Sequence, residues 1–163
     1  MSQSSQHLDL APSHVATYLA CMTEILPDNI NELISDFDFL DNWEDRYMHV
    51  IDMGKSLPDL ELALKTDATK VKGCVSQVWL VSKVEGQKDP TLTFRGDSDA
   101  HIVKGLVAIV LEVFSGRKAS EILKLDAKII LEKLGLSEHL SPQRSNGLQA
   151  MIARIKAEAE SLA

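Results

Sequence analysis

The residue of this chain best suited to covalent chemistry is Cys74, in Val71-Lys72-Gly73-Cys74-Val75-Ser76-Gln77-Val78-Trp79-Leu80. A thiolate is a nucleophile and a thiol is not. Lys72 and the loop amides are candidates to favour the thiolate. Gly73 permits a tight turn and lets another molecule approach the backbone. The competing reading is that Cys74 is a small buried hydrophobe, a common fate of free cysteines, and composition alone favours it. The other cysteine, Cys21, lies beside the apolar stripe of an N-terminal helical pattern and reads as packing.

The remaining polar candidates are weaker. His49, His101 and His139 are scattered, and none stands at metal-ligand spacing from another His or Cys. A Cys–His pair stays open, because such partners meet in space and not in sequence. Asp97 and Asp99, in Gly96-Asp97-Ser98-Asp99-Ala100, could form an acid pair or a cation site. The simpler reading makes them capping carboxylates at the positive end of a helix. Arg144 fits the first turn of a late helix. Trp43 and Trp79 read as core or partner contacts.

The elements that must position these residues follow from periodicity. A helical pattern with Val15, Tyr18, Leu19, Met22 and Leu26 on one face opens near Pro12 and stops at Pro27. Asn29 can cap a second helix, and Asp41 or Asn42 a third, which Gly54 ends. The composition then turns Val-rich. Strands are expected at about 69–73 and 76–84, joined by a turn at Gly73-Cys74, and a third at 91–95 before Gly96 breaks it. A helix over about 100–115 is apolar nearly all round, so it should be central and buried. Gly105 inside it costs helix stability, which implies a close backbone contact. Asp126 caps a later helix. Ser141-Pro142 has the cap-then-Pro form of a helix start, and the Ala- and Glu-rich tail should fray. The expected fold is α+β: a small three-stranded antiparallel meander with helices packed against it.

Composition bounds the function. The 163 residues fit one domain with its own core. Apolar residues make up 45% and charged residues 25%, as in an ordinary globular protein. A formal net charge of -7 argues against nucleic acid, which needs clustered Lys and Arg. Two distant thiols make neither a disulfide framework nor a zinc box, and they suit a reducing compartment. No apolar run is long enough for a membrane span, and residues 1–10 carry neither a secretory signal nor the Arg of a mitochondrial presequence. They are polar and expected to be disordered. Cytoplasm is the expected location, with no bound cofactor or metal.

Several segments, in order, resemble the SufE family. They are Asn42-Trp43-Glu44-Asp45-Arg46-Tyr47 with Ile51-Asp52-Met53-Gly54-Lys55-Ser56-Leu57-Pro58, and the Cys74 segment above. After these come Gly96-Asp97-Ser98-Asp99-Ala100 with Ile102-Val103-Lys104-Gly105-Leu106, and His139-Leu140-Ser141-Pro142-Gln143-Arg144-Ser145-Asn146-Gly147-Leu148. The likeness runs from about Ile34 to the C-terminus, so residues 1–33 read as an N-terminal extension and 34–163 as the SufE-like domain. It implies a fold shared with IscU-type scaffolds. It also implies a sulfur acceptor: Cys74 takes persulfide sulfur from a SufS-like, pyridoxal-phosphate-dependent cysteine desulfurase, stimulates it, and delivers sulfur to a SufBCD-like Fe–S scaffold complex. The protein would then be an accessory carrier and not an enzyme. A persulfide is vulnerable to oxidation, so a partly buried Cys74 is expected. Asp97, Asp99 and Arg144 match family positions. The first two are expected to cap the central helix, and Arg144 to hold the Cys74 loop. A CsdE-like acceptor for another desulfurase, a regulator that carries no sulfur, an Fe–S scaffold and a cysteine hydrolase are the alternatives.

Overall fold

Period-2 patterning and turn residues build a hairpin, and one apolar helix packs against its buried face. The computed structural model describes residues 25–163. The predicted N-terminal helix and Cys21 lie outside them, apart from the end of that pattern at Leu26, which is buried. Strand β1 (Val78–Glu85) pairs antiparallel with β2 (Thr91–Ser98), from Val78 opposite Ser98 to Glu85 opposite Thr91. The turn between them needs the left-handed backbone at Gly86 and Asp89. Val78, Leu80, Leu92 and Phe94 supply the buried face.

Six helices accompany the sheet among the described residues. They are α1 (Asp28–Asp38), α2 (Trp43–Ser56), α3 (His101–Phe114), α4 (Ala119–Lys124), α5 (Ala127–Lys133) and α6 (Pro142–Leu162). A two-residue strand, β3 (Arg117–Lys118), pairs with the start of β2, giving the sheet order β1-β2-β3. The fold is therefore α+β with a three-stranded antiparallel sheet, as expected.

The strands themselves are placed differently. Segment 69–73 is no strand: it touches β1 through one bridge, Lys70 to Trp79. The third strand instead follows α3, where Gly116 at φ +79° turns the chain back so that its N–H reaches the Leu92 carbonyl. Gly96 does not end β2, which runs to Ser98. Its missing side chain makes room for helix α3, since a Cβ there would sit 2.8 Å from Val107 Cγ1. Helix α2 likewise runs two residues past Gly54.

Helix α3 is central: eleven of its fourteen residues are buried. It crosses α2 with backbones nearly touching. A Cβ on Gly54 would lie 2.6 Å from Gly105 N, and one on Gly105 would collide with the Val50 carbonyl. The close contact inferred for Gly105 is thus present. Caps fall where side chains can reach. Asn42 accepts from Asp45 N at 2.8 Å, Asp126 from Lys128 N at 3.1 Å, and Ser141 from Arg144 N at 3.3 Å with Pro142 following. Asn29 does not cap α1. It donates to the Glu112 carbonyl at 2.7 Å and accepts from Arg117 at 2.6 Å. The Ala-rich tail is helical to Leu162, with Ala159 buried.

Neither Asp97 nor Asp99 caps α3, whose N-cap is Ala100 with no side-chain bond. Asp97 is buried and accepts from Leu60 N at 2.9 Å and Ser98 N at 2.8 Å. Lys65 lies at 3.2 Å and Lys104 at 3.3 Å, with Lys104 also paired to Asp59. Burial opposes its ionisation, but the two amides and two ammonium groups outweigh it and hold the carboxyl below its ordinary range. The carboxylate thus fastens the connection after α2 to the end of β2 and to α3.

Two outcomes are expected. Gly105→Ala gains about 1 kcal/mol of helix propensity. Overpacking against rigid backbone outweighs it, so chemical denaturation should show a net loss of about 2 kcal/mol. Asp97→Asn should cost about 1.5–3 kcal/mol near neutrality. Because the folded pKa is depressed, that difference is fully present above the unfolded value of about 3.9 and lost as pH falls below it. Urea titrations between pH 7 and 3 check this: the two proteins should converge only on the acid side.

Candidate functional site

Cys74 sits in a loop, residues 72–77, laid between the start of β1 and one face of α6. Gly73 adopts φ +95°, the left-handed turn expected before the cysteine. On the sheet side, Val71 N donates to Val78 O and Leu80 N to Thr69 O, both at 2.8 Å. Gln77 N donates to Asp99 Oδ1 at 3.0 Å, and its carbonyl accepts from Ser98 Oγ at 2.7 Å. Asp99 therefore ties down the downstream end of the Cys74 loop.

On the helix side, α6 presents Gly147, Ala150 and Arg154, which share a face by their i, i+3, i+7 spacing. The Cys74 thiol donates to the Gly147 carbonyl at 3.4 Å, within reach for sulfur. A Cβ at Gly147 would meet Sγ at 3.1 Å, so the glycine makes room for the thiol. A Cβ at Gly73 would rest 3.5 Å from Ala150 Cβ. Arg154 donates to the carbonyls of Lys70 at 2.9 Å and Ala68 at 2.7 Å.

The thiol opens on a pocket of about 310 Å³. Val103, Leu106, Leu148 and Met151 line its apolar part, and Ser76, Gln143 and Arg144 contribute polar groups. Cys74 is half-buried, matching the partial burial expected of it, while Val75 beside it is 75% exposed. Burial pushes the Cys74 thiol up from its ordinary value. Lys72 is exposed and does not reverse this. The resting group is thus a thiol, poorly nucleophilic until it moves toward water or a partner changes its surroundings.

Arg144 shares the pocket but does not hold the loop, since its guanidinium makes no hydrogen bond or ion pair among the described residues. Asp97 belongs to the network around Lys104, away from the thiol's own contacts. His139 stacks on Trp43 with ring centroids 4.7 Å apart, and His49 meets Phe37 edge-on. Neither they nor the exposed His101 line the pocket, so no imidazole stands by as base for Cys74 among the described residues. No group of three or more potential metal ligands occurs among them either. Sequence reasoning missed Arg154 and Gly147. Their spacing on α6 is readable, but only the docked loop gives that face a meaning.

Gly147→Ala should separate stability from reactivity. Unlike Gly105, Gly147 faces a loop that can yield, so the helix should gain up to about 1 kcal/mol. The displaced thiol should be alkylated by iodoacetamide faster than in the wild type. Denaturation and peptide-resolved alkylation measure the two effects; slower alkylation would contradict the packing described.

A sequence model described as "SufE: Fe-S metabolism associated domain" matches residues 31–159. An uncharacterized SufE-like protein of Rhizobium meliloti (strain 1021) is 59% identical over 133 residues, covering 81% of this chain and 95% of that protein. Another, from Rhizobium etli, is 56% identical over 133 residues, with 81% and 90% covered. The solution structure of a hypothetical protein from Thermus thermophilus shares the fold, with a TM-score of 0.66 at 20% identity over 85% of this chain and 98% of that one. The chain belongs to the SufE family, whose role is sulfur transfer in iron–sulfur metabolism.

Proposed function

We propose that Cys74 is the sulfur acceptor, receiving a persulfide sulfur from a SufS-like cysteine desulfurase and stimulating that enzyme. Delivery to a SufBCD-like scaffold complex completes the role, in the cytoplasm. The observation that carries this reading is the setting of Cys74: a nucleophile-bearing loop held beside an apolar pocket, with exposed Val75 next to it. Such a loop can offer its sulfur to a partner and withdraw it again.

The transfer is redox-neutral. The Cys74 thiolate attacks the terminal sulfur of the partner's Cys–S–SH. A new S–S bond forms on Cys74, the partner's S–S bond breaks, and the partner's thiolate leaves with the bonding pair. The terminal proton stays with the transferred sulfur, so Cys74–S–SH and a regenerated desulfurase thiolate result. The proton first lost by Cys74 passes to solvent or to a base of the partner. Because burial disfavours the thiolate, loop displacement precedes attack. On return, the apolar pocket keeps water and oxidants from the new persulfide.

A hydrolase is disfavoured by the lack of a His beside Cys74 among the described residues. A CsdE-like role with another desulfurase uses the same chemistry and differs in partner. Among the described residues, no helix is long and apolar enough to cross a membrane.

Mixing the protein with an active desulfurase and cysteine, then measuring intact mass without reductant, tests the proposal. The wild type should gain one sulfur atom and Cys74→Ala none on this loop. An unmodified wild type beside a turning-over SufS-like enzyme would reject the acceptor role for that partner. Stimulation that survives in Cys74→Ser would mark a regulator that carries no sulfur.

A further inference from the structure

The Cys74 loop is held on its two sides in different ways. The β1 side is a hinge: main-chain pairs at Val71–Val78 and Thr69–Leu80 join the limbs, and Ser98 and Asp99 hold Gln77. The α6 side has fewer bonds. It consists of the sulfur contact to Gly147, the packing of Gly73 near Ala150, and the two hydrogen bonds from Arg154.

We propose that Arg154 is the latch of this loop, a positioning residue that sets how often Cys74 leaves its pocket. The inference rests on the acceptor reading above for its purpose, though not for its geometry. A guanidinium suits the task because its planar fork spans two carbonyls of one short segment, those of Ala68 and Lys70, which a lysine ammonium cannot match. Glu158, 3.7 Å from Nε, leaves the two terminal nitrogens to face the loop. Loss of Arg154 frees the Ala68 and Lys70 carbonyls from α6 but leaves both pairings to β1 intact. The limb then lifts as a flap. Cys74 lies three residues from Val71 and three from Gln77, so its Cα stays within about 10 Å of either anchor. The thiol can reach outward without the domain unfolding.

A partly exposed pair of hydrogen bonds corresponds to about a tenfold change in the open–closed ratio. The test uses the full chain in a Cys21→Ser background, so that only Cys74 reports. Iodoacetamide alkylation at constant pH should be about tenfold faster in Arg154→Ala, and its rate should stay flat across sub-denaturing urea, as for a local opening that exposes little surface. Arg154→Lys, which keeps the charge and one donor group, should fall between. Removing a nearby cation would by itself disfavour the thiolate and slow alkylation, so acceleration cannot come from lost charge. An unchanged or slower rate overturns the latch, as does an acceleration that climbs with urea as steeply as global unfolding does. A parallel sulfur-loading assay keeps the two readings apart. A wild type that takes no sulfur sinks the acceptor role, while the alkylation rates still judge the latch.

Discussion

Everything near Cys74 is placed by the burial of α3. A helix that is apolar on nearly all sides must be enclosed, and three other layers have to approach it closely. Two glycines make this possible. Gly105 lets α2 cross backbone to backbone, and Gly96 lets the sheet settle onto Val107. With α2 and the sheet fixed, α6 packs against the same helix, and Leu148 and Met151 of α6 line one pocket with Val103 and Leu106 of α3 beside the loop. The pocket under the thiol is therefore a seam in the main core. Its shape follows from the same close packing that stabilises the fold.

This placement sets two needs against each other. A sulfur nucleophile is most useful as a thiolate, and a persulfide is safest out of water. Burial of Cys74 favours the second need and raises the thiol against the first. No cationic partner of the thiol relieves that conflict in the resting arrangement among the described residues. In the proposed acceptor role the conflict is met by motion, with one position that protects the sulfur and another in which it reacts. That in turn requires the loop to be bound weakly enough to move.

What the sequence disclosed and what it hid divide along physical lines. Local signals held. The caps at Asn42, Asp126 and Ser141 act over two or three residues. Gly105, a costly residue in a helix, pointed to a close contact that is present. Cys74 was picked out by its turn glycine and by its likeness to a family motif. Non-local choices were hidden. The stretch 69–73 opens a Val-rich run and is expected from sequence as a strand, but its backbone is spent on one bridge to β1 and on Arg154. Strand β3 is two residues long, too short for any periodicity. Asp97 and Asp99 sit where caps belong in sequence, yet distant amides and ammonium groups claim them. Arg144 entered by family position alone, and it is Arg154 that bonds the main chain leading into the loop, at Ala68 and Lys70.

The division of labour between those two arginines follows from where each begins on α6. Arg144 lies in the first turn, beside the mouth of the pocket and free of internal partners among the described residues. Arg154 lies deeper along the helix, on the face shared with Gly147, and its terminal nitrogens are taken up by main-chain carbonyls. An arginine whose donors are satisfied internally acts on the protein's own geometry, whereas one left at a pocket rim is available to a visiting group. The same helix thus presents one cation to the main chain that leads into the Cys74 loop and another at the pocket beside the thiol. Gly147, between them, provides the space in which the sulfur rests.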